Sequence, residues 1–390
     1  MANIHPFRPL RYTAKAGRIE NLATQPYDTI SPELAGHYRE LSPYNLVRLI
    51  LPGGDYAGAG ARFREWIAEG ILAADETPAL FVYEQRFCLP ESDETLVRRG
   101  FIGLGDCDEY GAVVHRHERT LDAPRADRLE LLRHTRAQFG SIFMLYDDRP
   151  GDVDALLDEA SRAAPLQRFT DCQGTTHILW RVEDAGWISR VRSAMKDKNL
   201  IIADGHHRYE AALMYRREQP AASRTMMAFV NMYSAGLRSL AAHRVISGLR
   251  DFPEEALMKI ARPIASVHEL AGAPLGMVLA SGIWLLEFER PENDLNLTVL
   301  HREVLEKVLA IGPEAVAAQR FVRYVRGIEK AVDEVRSGKA QAAFLVEPIR
   351  VEEVVRLALS GQTLPQKSTD FYPKLHSGLT IYQVTSRASR

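Results

Sequence analysis

A chain of 390 residues with 46% apolar and 26% charged residues carries core-forming material for two domains or one large elaborated one. Its formal net charge of −2 and the lack of any long Lys/Arg run argue against a nucleic-acid-binding face. No stretch approaches the eighteen or so apolar residues of a membrane span, and Met1 to Arg11 has no apolar signal core, so a soluble cytoplasmic protein is expected.

In chain order, the first fifty residues alternate short apolar groups with turn formers, notably Gln25-Pro26-Tyr27-Asp28-Thr29-Ile30-Ser31-Pro32. Asn45 to Leu51 predicts a strand ahead of Pro52-Gly53-Gly54. The glycines 53, 54, 58 and 60 lack both the Gly-Lys-Ser/Thr ending of a P-loop and the Gly-x-Gly-x-x-Gly spacing, so a plain loop and a helix near Ala59 to Glu69 are expected. Leu80 to Leu89 and Leu96 to Leu104 predict an antiparallel hairpin, and Ala112 to Arg116 a strand that ends at His117-Glu118. A helix opened by Pro124 and Asp127 follows, then alternating strands (141–146, 176–182, 200–203, 226–233) and helices (152–163, 187–198). Beyond a linker at Gly248 to Phe252 come strands at 283–288 and 342–346 and helices at 302–310, 328–337 and 352–359. The predicted architecture is α/β with a mixed, partly antiparallel sheet, divided as 1–247 and 248–390. Cys88, Cys107 and Cys172 are odd in number and without paired ligand spacing, which fits neither a disulfide framework nor a Cys-rich zinc site.

The most informative segment is Ile201-Ile202-Ala203-Asp204-Gly205-His206-His207-Arg208-Tyr209-Glu210-Ala211-Ala212. A buried strand stops at Asp-Gly and restarts as a helix whose first turn holds two histidines and an arginine. Free N–H groups and a favourable helix dipole make such a turn an anion site, and the glycine permits close backbone approach. Taken singly, Asp204 reads equally as a helix cap and Arg208 as a surface ion-pair partner.

Asp204-Gly205-His206-His207-Arg208-Tyr209, followed by Ala211-Ala212, resembles the signature of the ParB/sulfiredoxin-like superfamily, which includes ParB nucleotide-binding domains, sulfiredoxins and free-serine kinases. The resemblance covers residues 115 to 235 and implies a ParB/sulfiredoxin-like core with elaborations at both ends, in which Gly205, His206, His207 and Arg208 bind phosphate. Sulfiredoxin's cysteine position is Gly205 here, which disfavours redox repair. Over its whole length the chain resembles a family of uncharacterised bacterial and archaeal proteins of the same size. That match rests on Gln25-Pro26-Tyr27-Asp28, His117-Glu118-Arg119-Thr120, Asp127-Arg128-Leu129, the Asp204 segment and Pro365 to Lys374.

A His-Glu pair also precedes this turn in free-serine kinases, and the resemblance assigns Glu118 the role of base toward an acceptor hydroxyl; the alternative is a surface ion pair. Lys367, Ser368, Thr369 and Lys374 form a second polar cluster suited to phosphate, or else an ordered turn that pins the tail. Phosphoryl transfer needs a positioned acceptor, a carboxylate and cations. Glu118, Asp204 and His206 are accordingly the candidate catalytic residues. Gly205, His207, Arg208, Lys367, Ser368, Thr369 and Lys374 are candidates for nucleotide, His117, Arg128 and Tyr209 for substrate, and Asp204 for Mg²⁺. The expected function is a phosphotransferase that uses ATP or ADP on a small hydroxyl compound, L-serine by analogy, with no nucleic-acid or membrane partner and with homodimerisation open. The alternatives are a ParB-like nucleotide-binding module without turnover and a metal-dependent hydrolase or phosphatase built on His117, Glu118, His206 and His207. Adjacent helical histidines diverge by about 100°, which disfavours the last.

Overall fold

The computed structural model describes residues 1–90, 92–120, 122–270, 275–288, 294–365 and 367–384. These form two compact units. The first comprises residues 1–238, 355–362 and 371 onward, and the second residues 239–354 and 363–370. Where the sequence reading set one boundary at 247/248, the chain leaves the first unit after Arg238 and contributes to it twice more.

The first unit is built on a nine-stranded mixed sheet. Its main elements are α1 (Tyr56–Ala68), β1 (Leu80–Cys88), β2 (Thr95–Asp106), β3 (Val114–His115), α2 (Asp122–Thr135), β4 (Ile142–Tyr146), α3 (Asp152–Ala160), β5 (Gln167–Thr170), β6 (Thr176–Val182), α4 (Ala185–Met195), β7 (Leu200–Asp204), α5 (His206–Glu218) and β8 (Arg224–Asn231). The strand order is β3-β7-β4-β8-β2-β1-β6-β5, with Ile4–His5 paired to β2. β3 with β7 and β4 with β8 run parallel, while the other pairs are antiparallel.

Every residue of β4 is buried, as befits a central strand covered on both faces. Ile142, Met144 and Tyr146 join Ile202, Phe101 and Phe229 in a core closed by Val153 and Leu157 of α3 and Trp187, Val191 and Met195 of α4. Phe101 and Phe229 are cross-strand partners whose rings stack at 4.8 Å. Leu129 and Leu132 of α2 meet Ala211 and Tyr215 of α5 in a separate cluster. Burying each of the leucines contributes roughly 1.5 to 3 kcal/mol.

Asn45 to Leu51 is not a strand: Val47–Ile50 is a single helical turn. Asn45 Oδ1 accepts the Val47 N–H at 2.9 Å and Asn45 Nδ2 donates to Asn21 O, so local bonds favour the turn. A short apolar run cannot by periodicity distinguish a buried strand from a buried helix.

The second unit holds an antiparallel six-stranded sheet. Its strands are β9 (His243–Ile246), β10 (Ala261–Ile264), β11 (Leu275–Leu279), β12 (Gly282–Leu286), β13 (Val322–Val325) and β14 (Ala342–Val346), ordered β10-β12-β11-β14-β9-β13. α6 (Ile328–Arg336) packs Ala331, Val332 and Val335 against Val245, Val278 and Ala343. The helix expected at 302–310 starts earlier, at Asn296, and winds as a π-helix over Leu300–Glu306. Among the described residues no helix is long and apolar enough to cross a membrane.

Candidate functional site

Two features of β7 set the site. It runs parallel to β3, with Leu200 opposite Val114 and Ile201 opposite His115, so the two strands end on the same side and His117 emerges beside the end of β7. Carboxyl ends of parallel strands are where α/β sheets present chemistry. The second feature is a bulge against β4: Ile202 faces Met144, yet Asp204 faces Phe143, which leaves Ala203 as the extra residue. Cross-strand partners share a face. The bulge therefore turns Asp204 away from the core of Ile142, Met144 and Ile202 and onto the face of Phe143, where Phe371 and buried Arg98 also lie.

Gly205 has φ +97°, a left-handed conformation that starts α5 sharply, and it offers no side chain to cap the helix. One turn on, the Arg208 guanidinium donates to Asp204 Oδ2 and to Ser141 O, both at 2.7 Å. Lys374 Nζ donates to Asp204 Oδ1 at 2.8 Å. One carboxylate is thus gripped by cations from α5 and from the C-terminal segment. The rings of His117 and His206 meet edge to face at 4.7 Å, both buried. Burial pushes His117 down to about 4 and His206 well below the usual imidazole range, so both are neutral near pH 7. Among the described residues His206 Nε2 is buried without a hydrogen-bond partner. Glu118, half-buried, is next to His117 in the chain, and His207 is likewise half-buried at the start of α5.

Lys374 is placed by residues that sequence reasoning missed. Arg98, 2% exposed, donates to Tyr372 O, to Pro373 O and to Gln85 Oε1, and Gln85 Nε2 donates to Lys374 O at 3.0 Å. A charged guanidinium spent on neutral acceptors at the centre of a sheet is a costly choice. It clamps the backbone of 372–374, and desolvation lowers its pKa to about 10. Glu210 plays the matching part for His117-Glu118. Its carboxylate accepts from Arg116 at 2.9 Å, Thr120 at 2.6 Å and Arg125 at 3.3 Å, which ties the 116–125 segment to α5. No motif announced Arg98 or Gln85; a charged and a polar residue in strands rich in buried positions were the only signal, while Glu210 lies within the Asp204 segment on α5, where its neighbours and not its own spacing drew notice.

Tyr209 is fully buried, with its hydroxyl donating to Asp108 O at 2.6 Å, a core position rather than a place at the turn. Arg128 is buried, pairs with Asp127 and lies over the Tyr27 ring at 3.9 Å. It shares with Arg208 a cavity of about 70 Å³, whose walls include Tyr27, Leu131, Phe139 and Gly140. A Cβ on Gly140 would come within 3.1 Å of the Arg208 guanidinium, so that position keeps the wall open. Lys367, Ser368 and Thr369 belong to the second unit. Ser368 Oγ donates to Pro365 O at 2.6 Å, and Arg244 donates to Lys367 O at 3.2 Å. Among the described residues, the His/Cys/Asp/Glu side chains that converge as metal ligands are Asp171, His177 and His376, not the set of His117, Glu118, His206 and His207.

Several solved structures resemble the chain distantly. Free serine kinase in complex with AMP is 13% identical, with 69% of this chain and 86% of that one covered at a TM-score of 0.39. A conserved hypothetical protein from Pyrococcus furiosus is 14% identical (70% and 91% covered, TM-score 0.40), and C-terminally truncated SbnI from Staphylococcus aureus is 11% identical (74% and 90%, TM-score 0.41). No curated protein sequence matches the chain. A family model does match, across residues 4–309, and the chain belongs to the family described as "Protein of unknown function (DUF1015)".

Proposed function

We propose that the chain is a nucleotide-dependent phosphotransferase that moves a phosphoryl group from ATP or ADP to a small hydroxyl compound, with free L-serine the first acceptor to try. The observation that carries this reading is the grip of Arg208 and Lys374 on Asp204 at an uncapped helix start, beside the orphaned Nε2 of buried His206. Backbone N–H groups, cations and a carboxylate at one strand end are what phosphoryl transfer uses.

Beside this turn, Tyr27, Leu131 and Phe139 offer flat and apolar surfaces for a base and Arg128 and Arg208 offer charge for phosphates; the cavity they line, about 70 Å³, holds only part of a nucleotide and must open to take the whole. Asp204 would hold Mg²⁺ only once bound phosphates draw Arg208 or Lys374 off its carboxylate, whose two oxygens these cations occupy; one carboxylate together with substrate phosphates then suffices for that ion. Glu118 takes the acceptor's proton in this reading, and neutral His206 bonds the phosphoryl oxygens or the acceptor.

The test is calorimetry with ADP and ATP, with and without Mg²⁺, followed by ³¹P NMR of mixtures with amino acids and polyols. Nucleotide binding and a new phosphomonoester resonance with one acceptor are expected. A folded chain that binds neither nucleotide overturns the reading.

A further inference from the structure

We propose a second site, a divalent transition-metal centre of the Zn²⁺ type formed by Asp171, His177 and His376, which pins the C-terminal loop to the sheet. The three side chains converge in the first unit, with their ligand atoms within 4.8 Å of one another. Asp171 Oδ2 stands 3.0 Å from His177 Nε2 and 3.6 Å from His376 Nε2. Ligands around a tetrahedral ion with bonds near 2.0 to 2.1 Å are spaced by about 3.3 Å, a value these two distances bracket.

The surroundings are those of a supported centre. Asp171 Oδ1 is occupied by the N–H groups of Gln173 and Thr175, both at 2.9 Å, so Oδ2 is the oxygen turned to the histidines. Tyr83 Oη lies 2.7 Å from His177 Nδ1, the outer contact that orients a ligating imidazole and leaves Nε2 for the metal. In the metal-bound form His177 carries its proton on Nδ1 and donates it to Tyr83. The His376 ring sits 4.2 Å from that of His177. Its Nδ1 is buried without a partner among the described residues, and its Nε2 is beyond hydrogen-bonding distance of Asp171. Hydrogen bonding therefore does not account for His376. Two nitrogens and one oxygen suit Zn²⁺ or its neighbours rather than the oxygen-seeking Mg²⁺ or Ca²⁺.

The centre would staple residue 376 to the β5–β6 turn, two positions beyond Lys374, while the His376 N–H and Gln85 already tether the same loop. It does not depend on what the Asp204 turn binds. The test uses the full chain stripped with chelator and titrated with Zn²⁺ by calorimetry, with Co²⁺ as the spectroscopic probe. One Zn²⁺ per chain, a raised Tm and intense four-coordinate Co²⁺ bands are expected. His376→Gln and Asp171→Asn should each weaken Zn²⁺ binding more than tenfold, whereas Cys172→Ser should not. No stoichiometric Zn²⁺ on the folded chain overturns the proposal, as does binding that survives in both folded variants or that is lost only in His206→Gln. If a variant fails to fold, paramagnetically shifted imidazole resonances of Co²⁺-loaded wild type count the histidine ligands: two support the centre, and none overturns it.

Discussion

Arg208 makes two bonds with one planar group, to Asp204 and to the Ser141 carbonyl, so a change there alters both charge and geometry. Arg208→Ala should weaken ADP binding about 10- to 100-fold, or roughly 1.5 to 3 kcal/mol, by calorimetry on a chain with unchanged circular dichroism. Arg208→Lys should recover only part, because an ammonium cannot serve both acceptors in the same plane. Gly205→Ala places a Cβ 3.0 to 3.1 Å from that guanidinium and forces φ +97° on an alanine. A loss of about 1 to 3 kcal/mol in a denaturant melt is expected, and a variant as stable as wild type would contradict the strain argument. Glu118→Gln keeps shape while removing the base. Turnover in the acceptor assay should fall by roughly 10² to 10⁴ while nucleotide affinity holds. Asp204 to Arg208 could be read from the sequence because its groups are contiguous. Arg98 and Gln85 could not, because strand pairing and a loop from residues 372–374 make the clamp, and no local pattern encodes either.

At the scale of elements, the strands of the first unit were mostly legible. Period-2 and all-apolar runs bounded by turn formers mark β1, β2, β4 and β6 plainly. The Asn45 to Leu51 run misled because its side-chain bonds, not its apolar content, decide its conformation. The bulge at Ala203 left no sequence trace either, although it decides which face Asp204 takes. The loop that carries Lys374 is held from its backbone, and this yields a test that a purely electrostatic role would fail. Gln85→Ala removes the donor to Lys374 O and one neutral acceptor of buried Arg98 while leaving every charged group in place. Hydrogen exchange should accelerate across 372–376 and ADP affinity should drop, while global stability falls by only about 1 to 2 kcal/mol. Unchanged exchange in that loop would show that Arg98 alone suffices.

For the whole molecule, the second unit offers a readout of its own in acid. His243 Nδ1 accepts the Val346 N–H at 3.2 Å, and burial with Arg244 nearby lowers its pKa from 6.5 to about 4. The unfolded imidazole takes a proton more readily than the folded one, so stability is full above pH 6.5 and is lost as pH falls toward 4, by about 3 kcal/mol at most. His301, lowered to about 3, acts in the same direction. His243→Asn keeps an acceptor but no titrating group; its unfolding free energy should fall less than that of wild type between pH 7 and pH 4.5. Composition allowed two domains, but it could not show that the first is discontinuous, taking residues 355–362 and 371 onward after the whole of 239–354 has been written. Lys374, the carbonyls gripped by Arg98 and the strand pairing of Tyr382 with Gln138 all come from that late segment. A nascent chain can therefore complete its first sheet and its Asp204 turn and still lack the second cation on that carboxylate. The site closes only when residues made more than a hundred positions later thread back to it, which makes its assembly a late, non-local and comparatively slow event in the life of each molecule.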